Sequence, residues 1–327
     1  MKQNFFNAKK AYRELRERYN IKFADILIQN GFKVYLFGGS LRDMVRGKEW
    51  KDADIRAWIP ISAEERDKRT EQILRTAKIK IKSKIIFNDK FTIYRFMPKG
   101  STASGVIDFT VVTKQFEVIP DFTVNGLYFD LDTKELIDPH NALRDIKKKI
   151  IRAVLDPSKQ FRLEPHMIFR AVKGACQFGF AIEKSTLEAM KKLSNLTVET
   201  LEVVADNKIE GMTEWFIGNI FRGLKYDPVL FVQLWNNTGL TKVFFNFIGK
   251  RLNLRPNSYV ILESVFNKKR KYKYEEALNI FISSIAKELD PKNPKSKFKE
   301  IITLFSITAV SEYGDFVIDS SKIKYLS

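Results

Sequence analysis

Strand-like patterns are confined to about the first 155 residues of the chain, and helical periodicity dominates after them. Short apolar or alternating runs predict strands at 33–37, 54–59, 83–87, 91–96 and 106–112. Helices are predicted at 1–30, 40–46 and 64–77. The change of pattern predicts an α+β protein, with a small mixed sheet in an N-terminal domain (1–155) and an all-helical domain (156–290). Residues 291–327 form a C-terminal segment of unknown type.

The charge balance of the chain favours a polyanionic partner. Among 327 residues, Lys and Arg number 57 and Asp and Glu 39, a formal net charge of +18. Such an excess attracts nucleic acid first and anionic membranes second, although solvated lysine-rich surfaces give the same composition. No run is long and apolar enough to span a membrane, and the first residues lack a signal-peptide pattern, which predicts a cytoplasmic protein. The single cysteine, Cys176, excludes a disulfide partner within the chain.

The candidate chemistry begins where the first predicted strand ends. The strand 33–37 is followed by Gly38 and Gly39, and a double glycine lets backbone N–H groups approach an anion such as a phosphate closely. Downstream, Asp52 and Asp54 are spaced so that a strand would place both on one face. Adjacent carboxylates repel each other unless a cation lies between them, and oxygen ligands suit Mg²⁺. Asp108, an acid within the predicted strand 106–112, is the candidate third carboxylate.

These blocks resemble the signature of the polymerase-β-type nucleotidyltransferases. The run Gly38, Gly39, Ser40, Leu41, Arg42, Asp43, followed by Asp52 and Asp54, is closest to class II, which contains CCA-adding enzymes and bacterial poly(A) polymerases. Further blocks resemble that class in the same order, at residues 121–127, 136–139, 143–146, 151–153, 161, 170–172, 178–183, 219–224 and 234–240. The resemblance makes residues 1–155 a nucleotidyltransferase head and residues 156–290 a helical neck and body that bind the nucleotide base and RNA.

The resemblance also implies roles for individual residues. Asp52 and Asp54 would hold two Mg²⁺ ions, and Asp108 would complete the catalytic set. The nucleotide would be contacted by residues of the glycine turn, of a second loop and of the neck. These nucleotide-binding candidates are Gly38, Gly39, Ser40, Arg42, Asp43, Asp121, Asn125, Glu164 and Arg170. Capping and turn formation are the alternative roles for Asp121 and Asn125.

The chain departs from the class at two places. A double arginine that precedes Asp121 in the class is here Ile119 and Pro120. In the neck, the class reads nucleobases with a Glu-Asp-x-x-Arg motif, which falls on residues 163–167. Its acid is present only as Glu164, and Met167 occupies the position of its arginine. A site that discriminates by hydrogen bonds loses selectivity when a partner is missing, so AMP addition alone and relaxed nucleotide choice both stay open.

The resemblance therefore implies an enzyme that adds AMP or CMP to an RNA 3′ end without a nucleic-acid template. The substrates would be ATP and CTP, and the RNA would be tRNA. Three alternatives stay open: a poly(A) polymerase, a homologue that binds RNA without catalysis, and a toxin that modifies the acceptor end of a tRNA. The predicted RNA contact outside the head is a basic run that consists of Lys268, Lys269, Arg270, Lys271 and Lys273. The tyrosines interleaved with these residues are candidates for stacking on bases.

Overall fold

The computed structural model divides the chain into two compact units, residues 1–148 and 149–327. It describes residues 7–50, 52–87, 90–97, 107–115, 120–206, 208, 212–254, 260–261, 263–267, 270–305 and 322–326. The division falls a few residues before the predicted boundary, because Ile150–Ile151 pairs with Ala181–Ile182 and so belongs to the second unit. In the described part of the chain, no helix is long and apolar enough to cross a membrane.

The first unit is a mixed sheet with helices. Its helices are α1 (Ala8–Tyr19), α2 (Lys22–Gln29), α3 (Gly39–Val45), α4 (Ala63–Thr76) and α5 (Ala142–Lys148), and its strands are β1 (Lys33–Phe37), β2 (Ala53–Trp58), β3 (Ile81–Phe87), β4 (Phe91–Phe96), β5 (Ile107–Val112), β6 (Tyr128–Asp130) and β7 (Leu136–Ile137). The strands form one seven-stranded sheet in the order β3-β4-β5-β2-β1-β6-β7. Only β2 and β5 pair in parallel within this described sheet.

One face of this sheet is covered by helices. The ring of Phe23 in α2 contacts the rings of Phe96 and Phe109, with centroids 5.2 and 5.5 Å apart. Side chains alternate between the two faces of a strand, so Asp108, next to Phe109, lies on the other face. We call that other face the open face. Its side chains near the strand ends are half-buried rather than fully covered, and the candidate carboxylates lie there.

The second unit is helical apart from one short strand pair. Its elements are β8 (Ile150–Ile151), α6 (Pro157–Leu163), α7 (Met167–Phe178), β9 (Ala181–Ile182), α8 (Lys184–Leu193), α9 (Val198–Ala205), α10 (Met212–Tyr226), α11 (Pro228–Thr238), α12 (Leu240–Arg251), α13 (Tyr274–Leu289) and α14 (Pro294–Leu304). Trp235 lies at its centre, where the Phe231, Phe244 and Phe281 rings surround it. The α+β class predicted from the sequence is confirmed.

Two local features of the second unit are the cap of α8 and the packing of the C-terminal segment. Glu183 caps α8: its carboxylate accepts hydrogen bonds from the Thr186 backbone N–H (2.9 Å) and the Ser185 hydroxyl (2.6 Å). Burial alone would raise the pKa of Glu183, but these hydrogen bonds lower it to about 2. The C-terminal segment also belongs to this unit, because α14 packs against α13 and the Lys324 backbone N–H donates to Asn279 of α13 (3.0 Å).

Candidate active site

The glycine turn after β1 has a backbone shape that only glycine adopts easily. Gly38 has φ +79° and ψ −141°, a region closed to residues with a Cβ atom. A Cβ added at Gly38 would lie 3.3 Å from Oδ2 of Asp54. The absent side chain therefore leaves open the space in front of that carboxylate. Gly39 starts α3, and the Ser40 hydroxyl donates to the Phe37 carbonyl (3.3 Å), which ties the turn back to its strand.

Strand register places two of the three predicted carboxylates, Asp54 and Asp108, in one row. Asp54 lies opposite Phe37 of β1 on one side and opposite Asp108 of β5 on the other. Asp52 lies just before β2 and is exposed, whereas Asp54 is half-buried. We call Asp52 and Asp54 the carboxylate pair. Within the described residues, no group of three or more His, Cys, Asp or Glu side chains is arranged to hold a metal ion, so the structure does not join Asp108 to the pair in a three-carboxylate metal site.

Asp108 is held by an arginine that the sequence analysis did not single out. Arg95 of β4 lies opposite Asp108. Its guanidinium donates two hydrogen bonds to the carboxylate, from Nε to Oδ1 at 2.6 Å and from Nη2 to Oδ2 at 2.8 Å. Both side chains remain about one-third exposed, at 30% and 31%. Such a fork fixes the orientation of a carboxylate. The alternation of β4 predicts that residue 95 shares a face with 91 and 93, but the partner of Arg95 depends on the register with β5.

A chain of polar contacts connects the glycine turn to the second predicted loop. The Arg42 guanidinium donates to both oxygens of Asp43, at 3.0 and 2.6 Å, and to the Asn125 side-chain oxygen at 2.6 Å. Asn125 in turn donates to Asp121 at 2.7 Å. Arg42 is buried, and so is Asp121. The structure therefore brings four of the predicted nucleotide-binding residues into one network. The Asp121 carboxylate also accepts the Phe122 backbone N–H, a local bond that fits the turn alternative for Asp121, whereas the short 3₁₀ helix that follows has no side-chain cap.

Two further side chains near the carboxylate pair come from outside the predicted motifs. Tyr19, at the end of α1, is fully buried and stacks on Trp50, with ring centroids 5.6 Å apart. Burial raises the pKa of the Tyr19 hydroxyl to about 12, and the charges of Asp52 and Asp54 act in the same direction. The helix that carries Tyr19 precedes every motif recognised in the sequence, so only the folded structure places it near the pair.

The neck residues lie in the second unit. Glu164 follows α6 and is half-exposed, with its carboxylate 3.5 Å from the His166 ring nitrogen Nε2. Met167 is buried, and its sulfur accepts a hydrogen bond from Gln160 at 3.2 Å. Arg170 lies one turn further along α7 and is partly exposed. α6 ends at Leu163 and α7 begins at Met167, and Pro165 lies in the break between them.

Part of the predicted RNA-binding run lies outside the described residues, namely Lys268 and Lys269. Arg270, Lys271 and Lys273 are exposed, and Arg270 forms an ion pair with Glu276. Tyr272 is buried, packs edge-on against Phe266 and accepts a hydrogen bond from a backbone N–H at 2.7 Å. The interpretation of Tyr272 as a base-stacking residue is therefore wrong: it belongs to the core. Lys271 and Lys273 are the described lysines of the run, and both are exposed to solvent.

Part of the chain is similar to a known domain. Residues 34–152 match the family model described as the poly A polymerase head domain, so this part of the chain is similar to that head domain. The family resemblance found in the sequence is confirmed.

The relatives that match over more of the chain are CCA-adding enzymes. That of Lactobacillus helveticus (strain DPC 4571) is 27% identical over 242 residues, 63% of this chain and 59% of that protein. That of Streptococcus pneumoniae serotype 19F (strain G54) is 29% identical over 189 residues, 54% of this chain and 46% of that protein. The chain thus spans about half the length of the curated relatives it matches.

Solved structures share the fold at low identity. A CCA-adding enzyme with ATP matches with a TM-score of 0.55 at 19% identity, over 87% of this chain and 64% of that one. The Thermotoga maritima CCA-adding enzyme complexed with tRNA matches with a TM-score of 0.52 at 20% identity, over 89% and 68%. These likenesses concern the fold, in which a mixed sheet precedes helices.

Proposed function

We propose that the protein transfers nucleotides from nucleoside triphosphates to an RNA 3′-hydroxyl without a template, with the tRNA 3′ end as its substrate. The observation that carries the proposal is the meeting of the Gly38 turn with the Asp54 carboxylate on the open face of a nucleotidyltransferase head. The CCA-adding relatives and the net charge of +18 support RNA as the partner. A cytoplasmic location, where tRNA and triphosphates are found, stays a prediction.

The residues present fit a divalent cation. Asp52 and Asp54 offer hard oxygen ligands of the kind that Mg²⁺ prefers, and the missing side chain of Gly38 leaves space beside Asp54. Asp52 and Asp54 would hold the ions. When bound, Mg²⁺ would activate the RNA hydroxyl and offset charge on the departing pyrophosphate. Asp108 would face the same reaction from β5, with its orientation fixed by Arg95.

The remaining residues would bind and orient the triphosphate. Backbone N–H groups of the turn at Gly38, Gly39 and Ser40 would contact phosphate oxygens, because no side chain obstructs them at the two glycines. Arg42 and Asn125 would hold this turn against the loop that contacts the sugar. The 3′-oxygen of the RNA then attacks the α-phosphorus in line, the bond to pyrophosphate breaks, and one nucleotide is added. Positioning of this kind accounts for most catalysis of phosphoryl transfer.

Addition of AMP alone, as in a poly(A) polymerase, is the second candidate. It is favoured by Met167, which is buried against Gln160 and offers no hydrogen-bond donor at the position of the class's base-reading arginine. Glu164 is exposed enough to accept a hydrogen bond from the amino group of adenine or cytosine, but an acceptor alone does not separate the two bases. Arg170 is the candidate donor that would restore the distinction.

A primer-extension gel tests the proposal. The protein is incubated with Mg²⁺, a tRNA that lacks its terminal CCA or an unstructured RNA, and each nucleoside triphosphate in turn. Ordered addition of C, C and A to tRNA supports the CCA-adding function, and long A tails on either RNA support the poly(A) alternative. An Asp52→Asn/Asp54→Asn variant should be inactive. Asp132→Asn, at an exposed aspartate just after β6, is the matched control and should keep full activity.

Absence of incorporation with every nucleotide, while the RNA still binds, would overturn the enzymatic proposal. That result would favour the alternative that the protein is a homologue that binds RNA without catalysis.

A further inference from the structure

A buried arginine lies on the same face of the sheet as the carboxylates. Arg56 is only 2% exposed and follows Asp54 by two residues in β2, so both side chains project from the open face. The Arg56 guanidinium lies over the Phe37 ring, 3.9 Å from its centroid, and donates to the Tyr128 hydroxyl at 2.9 Å. A ring, a hydroxyl and a strand thus fix this charge in one place.

A buried cation is costly unless it interacts with compensating charge. Burial lowers the pKa of Arg56, whereas Tyr128 and the negative charge of Asp54 act in the opposite direction. Because Arg56 and Asp54 are two residues apart in one strand and project from the same face, the charge of Asp54 acts on Arg56. None of the nucleotide or RNA contacts proposed above uses Arg56. Its position beside Asp54 therefore indicates a separate role.

We propose that Arg56 is a positioning residue, a built-in counter-cation that offsets the repulsion between Asp52 and Asp54 and weakens the binding of a free divalent cation to them. This inference rests on the proposed role of the carboxylate pair as cation ligands. Two like charges side by side normally need a cation between them. Here the fixed positive charge of Arg56 beside Asp54 supplies part of that compensation when no ion is bound.

The test is a titration of the protein with Mn²⁺ alone, in which electron paramagnetic resonance measures the free ion. Arg56→Met removes the charge and keeps a side chain of similar length, so it should bind Mn²⁺ about tenfold more tightly than the wild type, which corresponds to about 1.4 kcal/mol. Arg56→Lys keeps the charge and should stay within about threefold of the wild type, well short of that tenfold change. Equal affinity for Arg56→Met and the wild type would overturn the proposal.

Two matched controls separate charge from packing. Tyr128→Phe removes the hydrogen bond to Arg56 but leaves its charge, and the Mn²⁺ affinity should not change. Arg66 is another buried arginine of this unit, and it hydrogen-bonds to Thr92 on the helix-covered face of the sheet. Arg66→Met should leave the Mn²⁺ affinity unchanged. An equal gain in affinity for Arg66→Met would mean that any loss of buried charge has this effect, and it would overturn the specific role of Arg56.

Thermal unfolding of Asp54→Asn gives a second measurement that needs no substitution of Arg56. If Arg56 compensates the pair, the loss of the Asp54 charge leaves a buried cation with less compensation, and the melting temperature falls. If repulsion within the pair is uncompensated, the same substitution relieves it and the melting temperature rises, which would overturn the proposal. Neither measurement uses RNA or nucleotide, so the inference can fail while nucleotide transfer stands, and the primer-extension gel can fail while Arg56 keeps its role.

Discussion

Substitution of Gly38 by alanine should damage both stability and activity. Gly38 has φ +79° and ψ −141°, and a residue held in such a region costs about 1–3 kcal/mol. The added Cβ would also lie 3.3 Å from Asp54 Oδ2, so the carboxylate must move by a few tenths of an ångström. Displacement of a catalytic group by about 1 Å can cost about 100-fold in rate. For this smaller shift we expect a loss of about tenfold.

Urea denaturation and primer extension measure the two effects of Gly38→Ala separately. The free energy of unfolding of the variant should fall by about 2 kcal/mol. Its incorporation rate at saturating nucleotide should fall by about tenfold. A variant that is as stable and as active as the wild type would refute the argument, because it would show that neither the backbone conformation nor the contact with Asp54 matters.

Two other glycines of the same unit serve as matched controls. Gly47 also has a positive φ, +65°, but a Cβ there would meet nothing within 4 Å. Gly47→Ala should therefore cost about 1 kcal/mol of stability and no activity. Gly39 has an ordinary φ, and its Cβ would lie 3.4 Å from the Arg42 guanidinium, an ordinary contact distance, so Gly39→Ala tests the crowding of the turn without backbone strain. If Gly47→Ala lost as much activity as Gly38→Ala, general destabilisation rather than Asp54 would explain the loss.

Three further predictions concern charged side chains. Arg95→Met should lower nucleotide incorporation by at least about tenfold, because Asp108 loses the fork that orients it, and Arg95→Lys should restore only part of the activity in the same gel. The pKa of Glu183 is lowered to about 2 from its ordinary value near 4.5, so the ionised carboxylate stabilises the fold fully above pH 4.5, and this contribution is lost as the pH falls toward 2. Unfolding curves at several pH values should therefore show that the free energy of unfolding falls less steeply with acid for Glu183→Gln than for the wild type. Lys271→Ala with Lys273→Ala should weaken RNA binding and reduce the slope of log Kd against log salt by about 1–2, measured by filter binding at several salt concentrations. An unchanged slope would mean that these exposed lysines do not contact phosphate.

The central strands could be predicted from the sequence because they are long enough to show a pattern. The strand Lys33–Phe37 has the predicted bounds, and the predicted strands near β2, β4 and β5 are present within one or two residues. The strand Tyr128–Asp130 was not predicted, since three residues carry no recognisable alternation. The sheet is accordingly larger than the small sheet expected, with seven strands rather than five.

The acids of the site could be predicted from their spacing, but the groups around them could not. Asp54 and Asp108 are recognisable because acids interrupt apolar runs. The roles of Arg95 and Arg56 depend instead on which residues lie opposite or beside them, and a single sequence does not specify the register that decides this. Tyr19 was even less predictable from the sequence, because it lies in a helix at the start of the chain and only tertiary packing brings it near the carboxylate pair.

The parallel pairing of β2 with β5 has a consequence for the order in which the site can assemble. The two strands that carry Asp54 and Asp108 are separated in the chain by α4, β3 and β4. Contacts between such distant segments form late in folding, because the intervening chain must first be ordered. During synthesis, the antiparallel strands β1 and β2 leave the ribosome before β5 does. A nascent chain therefore presents the carboxylate pair before its neighbour Asp108 can join the row, and catalytic competence should appear only when the centre of the sheet closes.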